Sequence, residues 1–159
     1  MSNVEITKFV DNKNNNDSLF RLTSDNKDIY IKIENIYLPF NFQKYNNNYY
    51  INAEVSFDEY DKIQIINIFE SVVKNNAKIE DKNFVSIIKK RQKTYHIKLM
   101  LKRHGKEILI DKEDDIDLER LSEYHRLKSI YDIVIKPEIL WELNGNYGII
   151  FYLCKINSK

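Results

Sequence analysis

Asn144-Gly145 stands between two apolar runs, EILWEL before it and NYGIIFYLCKI after it. Both central residues of a type I′ turn need positive φ, which Asn-Gly tolerates best, so the two runs are predicted to fold back on each other as a hairpin. Strand side chains alternate faces, so Trp141 and Leu143 share one side of the first arm. Tyr147, Ile149, Phe151 and Leu153 share one side of the second. Pro137 has no N–H for a ladder and is expected at the entrance of the first arm.

Upstream, the segment to about Asp28 reads as a polar, irregular arm with one apolar patch at Leu19, Phe20 and Leu22. Ile29, Ile31 and Ile33 then alternate with Tyr30, Lys32 and Glu34, which predicts a strand that Pro39 stops. Lys44 to Asn48 reads as a turn, and Tyr49 to Val55 as a second strand. Ser56 and Glu59 have capping-box spacing. They precede a helical stripe of Ile65, Ile66, Phe69, Val72 and Val73, which Asn75 and Asn76 are expected to end. From Tyr95 the chain is strand-like again: Tyr95, Ile97, Leu99 and Leu101 face one way, His96, Lys98, Met100 and Lys102 the other. His104-Gly105 reads as a turn, Ile108 and Ile110 as the returning strand, and Asp115 as the cap of a short helix to about Glu123.

The order is strands, a helix, a hairpin, a short helix and strands, with no βαβ repeat. It predicts a mostly antiparallel α+β domain or a small barrel with a helix inserted between strands. A chain of 159 residues is one domain by length, divided here into an arm, 1–28, and a domain, 29–159. At this size folding buries roughly 70% of the unfolded surface, enough for a core without disulfides or metals. A lone Cys154 fits a reducing compartment. No apolar run reaches membrane-spanning length, and the N-terminal residues lack the apolar core of a secretory signal. The expectation is a soluble intracellular protein with no membrane partner. The Asn runs at 14–16 and 46–48, with abundant Ile, Lys and Tyr, match AT-rich coding.

The net charge of +1 conceals a sharp split. Residues 84–106 hold no acid but carry Lys89, Lys90, Arg91, Lys93, Lys98, Lys102, Arg103 and Lys106. Residues 107–123 carry Glu107, Asp111, Glu113, Asp114, Asp115, Asp117, Glu119 and Glu123 against Lys112 and Arg120. A local positive field is what a polyanion requires. Competing chemistries are poorly supplied. Three glycines make no phosphate loop. His96, His104 and His125 lack zinc spacing, so no metal and no cofactor are expected. Cys154 lies in an apolar strand, where thiols are usually inert. The carboxylates from Asp114 to Glu119 do not follow a calcium-loop pattern. No enzymatic activity is expected.

Single-stranded nucleic acid is held by a positive groove combined with aromatic platforms. Lys89 to Lys93 supply charge, and His96, Lys98 and Lys102 extend it along a strand. Trp141, Tyr147, Tyr30 and Tyr37 are candidate platforms. Trp141 has two readings, core packing or base stacking, because large aromatics also dominate cores.

The strand ending Tyr37-Leu38-Pro39-Phe40 and the helix after it begin a wider pattern. Phe84-Val85-Ser86-Ile87, the basic stretch and the strand Tyr95 to Leu101 continue it. Pro137-Glu138-Ile139-Leu140-Trp141 and Tyr147-Gly148-Ile149 complete it, up to Ile156. Across about residues 29–156 this order resembles the single-stranded DNA-binding proteins of nucleocytoplasmic large DNA viruses, which are similar to the phage T7 single-stranded DNA-binding protein. The resemblance implies an OB-like antiparallel barrel with an inserted helix, coating exposed strands during viral DNA replication, in the host cytoplasm or at a viral replication site. It implies backbone contacts at Lys89, Lys90, Arg91, Lys93 and Lys98, with Trp141 and Tyr147 near the bases; His96, Lys102 and Arg103 extend the candidate site. The phage-type protein has an acidic C-terminal tail that recruits partners. This sequence ends CKINSK, so recruitment of that kind is not expected. RNA is the other candidate strand, and a homo-oligomer is a candidate assembly. The rival reading is a structural or interaction protein of a viral particle, docking basic against acidic surfaces between copies.

Overall fold

In the computed structural model, the described residues are 3–12, 17–39, 43–45, 48–104, 107–108, 111–112 and 130–158. The strands are β1 (Glu5–Asn12), β2 (Asp17–Thr23), β3 (Ile31–Tyr37), β4 (Gln43–Tyr45), β5 (Asn48–Ser56), β6 (Phe84–Val85) and β7 (Ile88–Lys90). They continue with β8 (Thr94–Leu101), β9 (Arg103–His104), β10 (Glu107–Ile108), β11 (Asp111–Lys112), β12 (Ile130–Leu143) and β13 (Asn146–Ser158). Among the described residues, one α-helix, α1 (Gln64–Ala77), lies between β5 and β6.

The main sheet runs β1-β2-β12-β3-β5-β8-β13-β11, and β12 also pairs with β13. The pairings β12–β3–β5–β8–β13–β12 therefore close a ring of five strands. Directions cannot alternate all the way round an odd-membered ring, so at least one neighbouring pair must be parallel. That pair is β8 with β13, and β6 and β11 also join β13 in parallel. The expected OB-like antiparallel barrel is thus corrected to a mixed sheet; the mostly β character holds, with one helix among the described residues.

The C-terminal hairpin forms as its turn chemistry requires. Leu143 pairs with Asn146, and the two residues between have φ of 52° at Asn144 and 82° at Gly145. Pro137 is not at the entrance of the arm but inside β12. Its position is a hand-over: residues 130–135 of β12 pair with β3, residues 139–143 pair with β2, and the β13 register slips between Pro137 and Ile139. A residue without an N–H is tolerated at such a bulge. The first segment is corrected more strongly. Rather than an irregular arm, it forms an antiparallel β1–β2 hairpin whose second strand joins β12. Leu22, from the small apolar patch, is buried there.

Alternation fills the interior with Ile31 and Ile33, Ile51 to Val55, Ile97 and Leu99, Ile133 and Ile135, and Ile149 to Leu153 on alternate positions. Each buried aliphatic chain contributes roughly 1.5–3 kcal/mol. From α1, Ile66, Phe69 and Val73 join this core, with Phe69 edge-on to Phe151 at 6.2 Å. The helix begins later than its sequence suggests. Ser56 Oγ donates to Glu59 Oε1 at 3.0 Å, but no side chain caps the backbone, and residues 57–62 form a 3₁₀ segment. Within α1, Ile65 lies about 100° round the axis from Ile66, at the margin of the buried stripe, and is exposed. The helix ends at Lys78, in the left-handed region at φ 56°, rather than at the asparagines. Asn76 instead donates from Nδ2 to Val4 O at 3.0 Å.

The segment expected as a turn at 44–48 carries strand pairing, Tyr45 to Asn48. β9 and β10 pair antiparallel at His104↔Glu107, as a turn there requires. Gly105, Ile110, Lys106 and the helix expected from Asp115 to Glu123 lie outside the described residues, as does most of the acidic run. Among the described residues no helix is long and apolar enough to cross a membrane, and no three His, Cys, Asp or Glu converge as a metal site.

Candidate nucleic-acid interface

Two registers bring the basic stretch to one surface. β7 pairs with β8 so that Lys89 is opposite His96, and β5 pairs with β8 so that Asn52 is opposite Lys98. Residues opposite each other share a face, so Lys89, His96, Lys98 and Asn52 point out of the ring, away from Ile97 and Leu99. Trp141, on β12, is opposite Gly148 of β13, and Gly148 pairs in turn with Val85 of β6. Between these rows lies an open groove of about 320 Å³, bounded by Lys89, Arg91, His96, Lys98, Trp141 and the segment Val85–Ile87. Charge and the chain's one tryptophan therefore meet on a single surface.

The indole lies flat on the Gly148 backbone. A Cβ added at Gly148 would sit 2.3 Å from Trp141 Cζ2 and 2.7 Å from Nε1. Only glycine permits this approach. Trp141 is half-buried, neither a core residue nor a free side chain.

Glu70 of α1 holds the opposite wall. Its carboxylate accepts from Ser86 Oγ at 2.6 Å and from Ile87 N at 2.9 Å. Burial pushes the Glu70 carboxyl above its ordinary range, and these two hydrogen bonds offset only part of that. His96 Nε2 is 3.1 Å from Thr94 Oγ1 and 3.8 Å from Glu54. Lys98 Nζ sits 4.4 Å over the Tyr50 ring, a cation–π contact that leaves ammonium donors facing outward.

The other candidates divide by alternation. Lys90 faces away from the groove and lies 5.5 Å over Phe57. Lys93 is exposed in the 91–94 turn, which Arg91 N closes on Thr94 O at 2.8 Å. Lys102 is on the same outward row as Lys98 but is engaged with Glu138 at 2.5 Å. The side chain of Arg103 lies outside the described residues. Tyr147 is on the opposite face of β13 from Gly148, packed on the core with its hydroxyl donating to Glu142. Tyr30 and Tyr37 are exposed, and neither borders the groove. Burial pushes the Cys154 thiol up, away from its thiolate.

Asn52, Ser86, Ile87, Tyr50 and Glu70 were not legible as site residues. Asn52 and Tyr50 alternate with the apolar Ile51 and Ala53, so strand period gives their face, but their proximity to the basic stretch depends on the β5–β8 register. Only the fold reveals Glu70, an acid on the apolar stripe of a helix.

No family model and no curated protein matches this sequence. Solved structures do match in shape. The single-stranded DNA-binding protein from bacteriophage Enc34, C-terminally truncated, superposes with a TM-score of 0.58 at 15% identity, covering 98% of this chain and 93% of that one. The same phage protein in complex with single-stranded DNA gives 0.54 at 13% identity, covering 98% and 95%. The likeness is one of fold.

Proposed function

We propose that this protein binds single-stranded DNA without sequence preference, as an OB-type barrel, in viral DNA replication. The observation that carries this reading is the groove that joins Trp141 to Lys89, Arg91, His96 and Lys98. A cationic channel beside a stacking ring matches both properties of a single strand, a charged backbone and bases with free faces. The shared fold with the phage Enc34 protein supports the reading, and so does the resemblance of the sequence to viral strand-coating proteins. The replication role rests on that resemblance. The channel reads backbone and ring faces rather than base edges, so it carries no sequence discrimination.

Fluorescence anisotropy of labelled oligo-dT against a matched duplex, at several salt concentrations, tests it. Tight strand binding, weak duplex binding and a steep salt dependence are expected. Paired charge reversals refine the surface. K89E with R91E is expected to lower the log–log salt slope by about 1.4, at about 0.7 per phosphate. K90E with K93E, off the groove, is expected to change it far less. Equal losses from both pairs would remove the groove from the reading. No binding of either nucleic acid at low salt would end it.

A further inference from the structure

A second basic cluster lies on the same outward face as the groove, and Glu138 organises it. The bulge after Pro137 adds Glu138 as an extra residue in β12, and its side chain is covered by the cations around it, leaving it 4% exposed. Lys102 Nζ approaches the carboxylate at 2.5 Å, Lys136 at 2.9 Å and Arg21 at 3.5 Å. Three cations on one carboxylate leave two positive charges unbalanced, apart from Asp28, which reaches Lys136 at 3.5 Å. An ionised carboxylate has about four acceptor sites, so one Glu138 can gather all three cations.

The register places this cluster beside the groove. Lys136 is opposite Tyr152, Tyr152 is opposite Met100, and Arg21 is opposite Ile139. Ile139 and Trp141 share a face of β12, and Met100 shares one with Lys98 on β8. Along β12, Trp141 and Lys136 are about 16 Å apart at a rise of about 3.3 Å per residue, which is further than one nucleotide reaches. Aromatics accompany the cations here as they do in the groove. Lys102 Nζ lies 5.0 Å over Tyr152, and the Arg21 guanidinium 5.2 Å over the exposed Phe9. Exposure separates the roles. The side chains of Arg21 and Lys102 are 48% and 36% exposed, whereas that of Lys136 is 11% exposed.

We infer that Arg21 and Lys102, set in place by Glu138 and Lys136, form a second backbone-phosphate subsite for the same single strand, with Tyr152 beside it as a base platform. The strand leaves the Trp141 groove and crosses the outer face of β8 and β13 to reach it. Glu138 keeps the cations at fixed positions, while each retains further N–H donors for phosphate oxygens. This inference rests on the strand-binding reading.

The test compares oligo-dT of about 5 and about 15 nucleotides, bracketing the usual site sizes. The protein is used as the wild type, R21Q, R21Q with K102Q, and a control in which Lys32 and Lys82, paired elsewhere with Glu34 and Glu80, become Gln. Thermal melts accompany each variant, and R21Q, at an exposed position, keeps the test valid if the double variant melts early. In R21Q the long strand is expected to bind roughly tenfold more weakly, the loss of one charge-assisted contact. In the double variant its salt slope should also fall by about 1.4. The short strand should show no matching loss, and the control should follow the wild type. Unchanged long-strand affinity and slope in a folded R21Q/K102Q variant would overturn the subsite and leave the groove standing. Wild-type protein that binds neither strand would overturn both.

Discussion

The two ends of the proposed strand path are each built on a buried carboxylate, and the two carboxylates behave oppositely. Glu70, 2% exposed, stands behind the groove wall and accepts from neutral groups, Ser86 Oγ and Ile87 N. Glu138, 4% exposed, stands under the second cluster, where it accepts from the Lys102 and Lys136 ammonium groups and pairs with the Arg21 guanidinium. Burial raises the pKa of both, and at Glu70 it prevails. At Glu138 burial is outweighed by the hydrogen bonds from Lys102 and Lys136, so its carboxyl is held below the ordinary range. The neighbours' charge, rather than depth, decides which way a buried acid's pKa moves. Glu70 therefore shapes a loop, whereas Glu138 arranges charge.

The largest effect expected from this difference is on stability. Glu138→Ala leaves Lys102 and Lys136 facing each other across an empty site, with Lys136 nearly enclosed. Stranding a buried charge costs about 3 kcal/mol. A urea midpoint shift of that order is expected, and a shift no larger than a surface ion pair gives, under about 1 kcal/mol, would reduce Glu138 to a surface role.

Next in size is the groove itself. Trp141→Ala is expected to weaken oligo-dT binding by about 1–3 kcal/mol, the worth of a stacked base, with little change in salt slope, since no phosphate contact is lost. The Glu138 end should behave the other way, its losses appearing in the slope. A Trp141→Ala protein that binds normally would return Trp141 to packing on Gly148 alone.

Much of this fold was legible because local chemistry dictated it. Asn144-Gly145 could hardly do anything but turn, and Ile97-Lys98-Leu99 could hardly avoid alternating. The first strands were obscured because polar and charged residues interrupt their period, with the Asn run at 14–16 between them, and their place in the sheet depends on β12, more than a hundred residues away. The parallel pairs followed from ring closure, a property of strand number rather than of any residue. At the site, charge and aromaticity named Lys89, Arg91, His96, Lys98 and Trp141 as candidates, but that they border one groove follows from strand register and was not legible. Lys90 and Tyr147 show the limit of that reading: both carry the right chemistry, and strand alternation turns both away. Glu70 and Glu138 were invisible, because what they do is fixed by long-range partners.

The smallest effect gives the sharpest contrast. Glu70→Gln keeps one acceptor oxygen for two donors, so a loss of about 1 kcal/mol is expected at low pH. Glu138→Gln loses its charge and with it the grip on Lys102 and Lys136. Their pH dependences then run in opposite senses. The folded pKa of Glu138 is below its unfolded value, so its stabilisation is complete above the unfolded value, about 4.3, and is lost as pH falls through the folded one. The deficit of Glu138→Gln against the wild type should therefore widen as pH rises. Glu70 has its folded pKa above the unfolded value, so its contribution is complete below about 4.3 and is lost as pH rises through the folded one. The deficit of Glu70→Gln should narrow over the same range. Urea midpoints of the three proteins from about pH 3 to about pH 7 read both trends at once. Parallel trends would mean that the two acids share one environment, and the distinction between a loop anchor and a charge organiser would fall.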